Sequence, residues 1–148
     1  MPPSITTRIS SIALIAATPP ATFFIVGDQS EPGPPRYLDY FWKPPTWMTS
    51  PAVAVLGISA TIVVATSIVL IGIERRRHRV SRSALIIDAL SVAAGMLVAW
   101  SYRIMTAGVI GANIGAGLVI IFGTPLLLVL IVSAVVIAIR SRKPSKVS

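Results

Sequence analysis

The stretch from Pro51 to Ile73 constrains the fold more than any other part of the chain, because it contains no charged residue. An α-helix of this length would extend roughly 34 Å, enough to cross the hydrocarbon core of a bilayer. Over the whole chain, 54% of the 148 residues are hydrophobic and only 12% are charged. A soluble domain usually needs about 25% charged residues. Lipid is therefore the expected solvent, around a single membrane domain at 1–148.

Three further apolar stretches complete the predicted topology, at 9–27, 84–102 and 118–139. The apolar sequence runs on from Ile104 to Ile139, but one helix over this range would reach about 54 Å and overshoot the bilayer. A turn is therefore expected in the cluster of glycines between Gly108 and Gly117. We predict an all-α integral membrane protein, a bundle of four transmembrane helices. An aromatic, proline-rich loop at 28–50, a basic loop at 74–83 and a basic tail at 140–148 lie outside the bilayer.

The first apolar stretch has two interpretations. Pro19 and Pro20 interrupt it, and adjacent prolines remove two amide donors from a helix. Arg8 followed by the apolar run to Ala17 is also the pattern of a signal peptide cleaved near Ala17, which would leave three spans. We favour a retained, kinked span, since the apolar sequence resumes after the prolines and approaches spanning length.

The distribution of basic residues predicts the orientation. The loop at 74–83 carries five arginines, the tail carries four basic residues, and Arg8 lies at the N-terminus. Only Arg36, Lys43 and Arg103 fall on the opposite side. Because cytoplasmic loops of membrane proteins carry an excess of lysine and arginine, both termini are expected in the cytoplasm. The high ratio of arginine to lysine suggests a bacterial protein, and hence a multi-pass protein of the cell (inner) membrane.

Several kinds of site are disfavoured by the composition. The chain has no cysteine and a single histidine, His78, so it cannot form thiolate metal sites, and one chain alone cannot form a bis-histidine haem. We expect no catalytic, cofactor-binding or metal-binding residues, and no enzyme activity. The net charge of +8 lies in short runs beside apolar segments, which fits lipid headgroups rather than nucleic acid.

Three polar residues within or beside the spans are candidates for function. Asp88 is the only acidic residue inside a predicted span, and an intramembrane carboxylate suggests proton or cation handling. The favoured interpretation is a carboxylate that is satisfied by Arg82 at the interface or by another helix. Arg103 follows the third span and can extend toward the headgroups. Asn113 lies in the glycine cluster, where it suits a turn.

Three further groups of residues have predicted roles. Small residues that permit close helix packing are Gly57, Thr61, Ala65, Gly95, Gly111 and Gly115, although Gly111 and Gly115 could instead mark a turn. Aromatic residues that form either a headgroup-level belt or a partner-docking loop are Tyr37, Tyr40, Phe41, Trp42 and Trp47. Basic residues expected to face lipid headgroups are Arg75, Arg76, Arg77 and Arg79.

These features favour a non-enzymatic accessory or structural subunit that packs against other membrane protein subunits of a larger complex. Packing faces and an aromatic loop are present, while reactive residues are lacking. The alternative is a small homo-oligomeric carrier or channel, including a holin-like protein, that uses Asp88 and the glycine cluster.

Overall fold

A computed structural model describes residues 4–30, 39–46, 48–78, 80–109 and 112–142. Its helices are α1 (Ile5–Val26), α2 (Ser50–Arg76), α3 (Arg82–Thr106), the short α4 (Ala112–Leu118) and α5 (Thr124–Arg142), with a π-helical turn at Val119–Gly123 between the last two. Four helical segments are long and apolar enough to cross a membrane, the fourth being the continuous unit Ala112–Ser141. Apart from an isolated bridge between Asp39 and Val109, the regular structure of the described residues is thus helical, as predicted, and it is consistent with a multi-pass membrane protein.

The helices extend beyond the predicted spans because polar residues cap and lengthen them. Ser4 and Ser81 precede α1 and α3, and their hydroxyl groups accept hydrogen bonds from the amides of Thr7 and Ala84. At its C-terminal end, α2 continues past the apolar stretch through Arg75 and Arg76. Arginine is a good helix former, and its charge is favourable near a helix C-terminus.

The two proline sites have different local structures. The helix α1 continues through Pro19 and Pro20 as one element. In the fourth segment, the π-helical turn ends two residues before Pro125, and the amide of Thr124 donates a hydrogen bond to the carbonyl of Val119. Proline lacks the amide that would bond to Ile121 in an α-helix, and the wider turn accommodates that loss.

The turn before the fourth segment is shorter than the glycine cluster suggests. Helix α3 ends at Thr106 and α4 begins at Ala112, so Asn113, Gly115 and Gly117 are helical. Gly115 lies against α3, since a Cβ added there would be 3.0 Å from the Ile104 side chain. The predicted Gly111 lies outside the described residues. Glycine content alone did not distinguish the turn from the packed helix that follows it.

The long helices form an open row in the order α2, α1, α3, α5. Helix α1 packs along both α2 and α3, and α3 packs along α5. Within the described residues, no backbone contact joins α2 to α3 or α1 to α5. The row has an arginine end, where α1 and α3 begin and α2 ends, and an aromatic end, where α1 and α3 end and α2 begins.

The buried core of this row consists mainly of small residues. Alanine dominates, and the buried hydrophobic residues are Leu14, Ala17, Ala21, Ala60, Ile71, Ala99, Ala107, Ala112 and Ala116. Ala17, Ala21 and Ala60 form a cluster at the α1–α2 contact, with Val64 against it. Large apolar side chains such as Ile62 and Phe122 are instead mostly exposed. Small residues at helix contacts and large apolar residues outside are typical of helices that pack in lipid.

Candidate functional site

Asp88 lies at the contact between α3 and α1, near the arginine end. The residue is 8% exposed, and its Oδ2 atom accepts a hydrogen bond of 2.9 Å from the hydroxyl of Ser11. The predicted alternative partner, Arg82, makes no ion pair with it within the described residues. The same face of α3 includes Gly95, where a Cβ would come within 3.4 Å of Thr18 and Pro19. Asp88 is therefore an interhelical carboxylate with a defined donor.

A second buried carboxylate, Glu74, lies in the last turn of α2 and not in the loop to which the sequence assigned it. Glu74 is 6% exposed, and its Oε2 accepts a hydrogen bond of 2.8 Å from the Ser4 hydroxyl. Arg77 lies 4.0 Å from its other oxygen. The available sequence signal was an acidic residue directly before a run of arginines, three positions from Arg77.

The two carboxylates attach α1 to both of its neighbours. Ser4 donates to Glu74 of α2, and Ser11, seven residues later, donates to Asp88 of α3. Among the described residues, every buried side-chain nitrogen or oxygen has a hydrogen-bond partner. Two of these hydrogen bonds therefore join α1 to its neighbours.

At the aromatic end, Arg103 binds the end of α1. Its Nε atom donates a hydrogen bond of 2.9 Å to the carbonyl of Phe23, and its guanidinium carbon lies 3.5 Å from the centroid of the Phe23 ring. The ring of Tyr102 lies 5.7 Å from that of Phe23 and 6.4 Å from that of Trp42. Arg103 thus contributes a hydrogen bond and a cation–π contact rather than only extending to the headgroups.

The described part of the aromatic loop folds onto the end of α3. The amide of Trp42 donates to the carbonyl of Met105, and the amide of Val109 donates to the carbonyl of Asp39. Tyr40 packs on Gly108, since a Cβ added there would lie 2.6 Å from the Tyr40 hydroxyl. Phe41 and Trp42 remain 46% and 59% exposed. The other two predicted members of the loop, Tyr37 and Trp47, lie outside the described residues.

An apolar cavity of about 400 Å³ opens beside this aromatic cluster, between α1, α2 and α3. Its lining includes Pro20, Phe23, Leu56, Val98 and Tyr102, with Met48 from the loop. The Tyr102 hydroxyl lies 3.7 Å from the Met48 sulfur. We call this space the aromatic-end cavity. Sequence reasoning missed it, because its walls come from helices whose relative positions the sequence did not specify.

The predicted packing residues fall on different sides of their helices. Gly57 is buried against α1, while Thr61 is partly buried and uses its hydroxyl to bond the carbonyl of Gly57. Ala65 is exposed, and α2 meets α1 through Ala60 and Ser67 instead. Residues spaced four apart rotate gradually around a helix. The predicted row therefore faces α1 at Gly57 but no longer faces it at Ala65.

The remaining candidates lie at the two ends of the molecule. Arg75, Arg76 and Arg77 are exposed at the arginine end, and Arg79 lies outside the described residues. Asn113 is exposed on α4. Among the described residues, no group of three or more histidine, cysteine or acidic side chains could hold a metal ion. No family model, curated protein or solved structure matches the chain.

The contact between the α1–α2 loop and α3 is expected to depend on the ionisation of Asp28. A hydrogen bond from the Ser30 hydroxyl, aided by the charge of Arg103, lowers the pKa of Asp28 below its ordinary value of 3.8. The same hydroxyl accepts a hydrogen bond from the amide of Gly108. Ser30 therefore links Asp28 to the residues that follow α3. Because the folded pKa is lowered, the stabilisation is complete above 3.8 and is lost as the pH falls through the lowered value.

We therefore expect an acid transition in the tryptophan fluorescence, to which Trp42 contributes, below pH 3.8 in the protein held in detergent. Ser30→Ala should move this transition upward, toward the ordinary pKa of aspartate. Ser59→Ala, an exposed serine on α2, serves as the matched control and should leave it unchanged. A Ser30→Ala transition that coincides with the wild-type transition would contradict the assignment.

Proposed function

We propose that this chain is a non-enzymatic, multi-pass subunit of the bacterial inner membrane that packs laterally against a larger membrane protein complex. The observation that carries the proposal is the open helix row, which leaves a largely apolar groove along α3 with several small residues among the larger ones of its lining. This α5 groove, about 470 Å³ between α1, α3 and α5, is lined in part by Ser91, Ala94, Gly95, Ala134 and Ala138. In lipid, small residues allow a further helix to approach closely and gain dispersion contacts.

The arrangement of the helix ends supports the proposed orientation. The bond between Ser4 and Glu74 brings the N-terminal residues to the same end as the arginines that follow α2. Leu127 of α5 lines a pocket together with Leu97 and Ser101 near the end of α3. Ala138 lines the α5 groove, which extends to Ile87 near the start of α3. Helix α5 therefore runs back toward this end. With the basic residues of three segments on one side, that side is assigned to the cytoplasm.

Purification from native membranes in mild detergent tests the proposal. We expect the chain to migrate in a complex that contains other membrane proteins. Ala134→Trp, which fills the α5 groove, should release the chain from that complex. Val132→Trp, on the exposed face of α5, is the matched control and should remain bound. A wild-type chain that purifies from native membranes as a lone monomer would overturn the proposal.

A second function, a homo-oligomeric carrier or channel, is favoured by one specific observation. Asp88 lines a further groove between α2 and α3, together with Leu14, Ile68 and Val92. A carboxylate at the wall of a groove within a membrane is a candidate for proton or cation transfer. Asp88→Asn keeps an oxygen that can accept from Ser11 but removes the charge. It should abolish proton flux in liposomes that report internal pH, with assembly intact, and unchanged flux would exclude this function.

Helix α1 is expected to be retained in the mature protein. It lies between α2 and α3, and Ser11 of this helix and its N-cap residue Ser4 bind the buried carboxylates Asp88 and Glu74. Loss of the segment up to Ala17 would leave both acids without these donors, at a cost of about 1–3 kcal/mol each. Intact-mass spectrometry of protein purified from membranes should therefore find Ser4 and Ser11 present. A mature chain that starts just after Ala17 would show that a signal peptide had been removed.

A further inference from the structure

The aromatic-end cavity has the properties of a binding site for an amphiphile. Its volume is about 400 Å³, within the range of small-molecule sites, it is open on one side, and its exposed lining is almost entirely apolar. It opens between helices that are expected to face lipid, so its occupant can enter sideways from the bilayer. A lining of this kind favours a ligand with a long apolar group.

A cationic group with unused hydrogen-bond donors lies beside the cavity. Arg103 stacks on Phe23, which is itself part of the cavity lining, and only its Nε atom is engaged, by the Phe23 carbonyl. Within the described residues, its two terminal nitrogens donate no hydrogen bond, and its charge interacts with that of Asp28 without an ion pair within 4.0 Å. A guanidinium donates through a planar fork that matches the oxygens of a phosphate group.

We propose that the aromatic-end cavity holds one acyl chain of a membrane phospholipid, with the lipid phosphate bound by the terminal nitrogens of Arg103. This inference goes beyond the proposed lateral packing, and it rests on the same membrane insertion. The phosphate would lie at the level where Arg103 and Tyr102 end the apolar part of α3. Trp42, which is more than half exposed beside Tyr102, would cover the glycerol region of the lipid.

Native mass spectrometry of the recombinant chain tests this site. Protein extracted from membranes in mild detergent should retain one adduct with the mass of a phospholipid. Arg103→Gln removes the charge-assisted hydrogen bonds to phosphate and should reduce retention about tenfold or more. Val53→Trp fills the cavity from α2 and should abolish it. Arg140→Gln, an exposed arginine at the opposite end of the bundle, is the matched control and should retain the lipid.

Three results would each contradict the lipid site. A wild-type chain without an adduct, an adduct that survives both Arg103→Gln and Val53→Trp, or an adduct that contains no phosphate would overturn the proposal. Circular dichroism of each variant reports its folding, and Val53→Trp decides the question if Arg103→Gln does not fold. The result is independent of the proposed function, because a recombinant chain without protein partners can still retain a lipid.

Discussion

Replacing Gly57 by alanine is expected to destabilise the contact between α1 and α2, despite the higher helix propensity of alanine. A Cβ at this position would lie 2.2 Å from both Cβ and Cγ of Phe24. These atoms lie at the base of the phenylalanine side chain, so a rotamer change cannot move both away, and the two helices must separate. Overpacking of this kind costs about 1–3 kcal/mol. That exceeds the gain of about 1 kcal/mol for alanine over glycine in a helix.

The same helix offers a matched control in Gly72. A Cβ added at Gly72 meets no atom within 4 Å, so only the propensity gain remains there. Gly57→Ala and Gly72→Ala are therefore expected to shift stability in opposite directions. The measurement is the loss of helical circular dichroism as a denaturing detergent is added to protein in mild micelles. Equal stabilisation by both substitutions would show that Phe24 does not pack on Gly57.

The number of membrane-length helices and the positive charge at their arginine end could be predicted from the sequence, because each depends on local composition. A stretch such as Pro51–Ile73 needs no knowledge of its neighbours to be recognised as a spanning helix. The same holds for the aromatic residues that cluster between the first two helices. Gly57 was predicted as a packing residue from its side-chain size, and it is buried against Phe24.

The order of helices in the row could not be predicted, because apolar faces in lipid carry little information about which helix they meet. Lipid tails solvate leucine as well as another helix does, so association depends on close fit and on polar pairs. Both depend on three-dimensional register. The partner of Asp88 is the clearest case, since the sequence offered Arg82 nearby, whereas the structure provides Ser11 from a helix 77 positions away.

The candidate lipid site was hidden for the same reason. Its walls come from three helices and one loop, and its cation, Arg103, was assigned from the sequence alone to the headgroup layer. The register of α1 against α3 determines that the ring of Phe23 lies under the Arg103 guanidinium. That register is held by polar contacts along the bundle, with Ser11 and Asp88 nearer the other end.

The hydrogen bond between Ser11 and Asp88 gives the second large effect that we expect. Ser11→Ala removes the donor and leaves a buried carboxylate without it, which costs about 1–3 kcal/mol, and more for a charged group. Asp88→Leu removes the acceptor and its charge, leaving a serine hydroxyl that can bond to its own helix backbone, so its cost should be smaller. In the double variant both polar groups are gone, and two apolar side chains can replace the pair at little net cost.

A double-mutant cycle over these variants should therefore be strongly non-additive, with Ser11→Ala more harmful alone than in the presence of Asp88→Leu. Detergent-induced unfolding of the four proteins gives the coupling energy directly, and Ser59→Ala on the exposed side of α2 controls for the loss of a serine as such. If the two substitutions add independently, Asp88 does not depend on Ser11. The polar link between α1 and α3 would then lose its support, and transport by a freely accessible Asp88 would become the better explanation for a carboxylate at this depth.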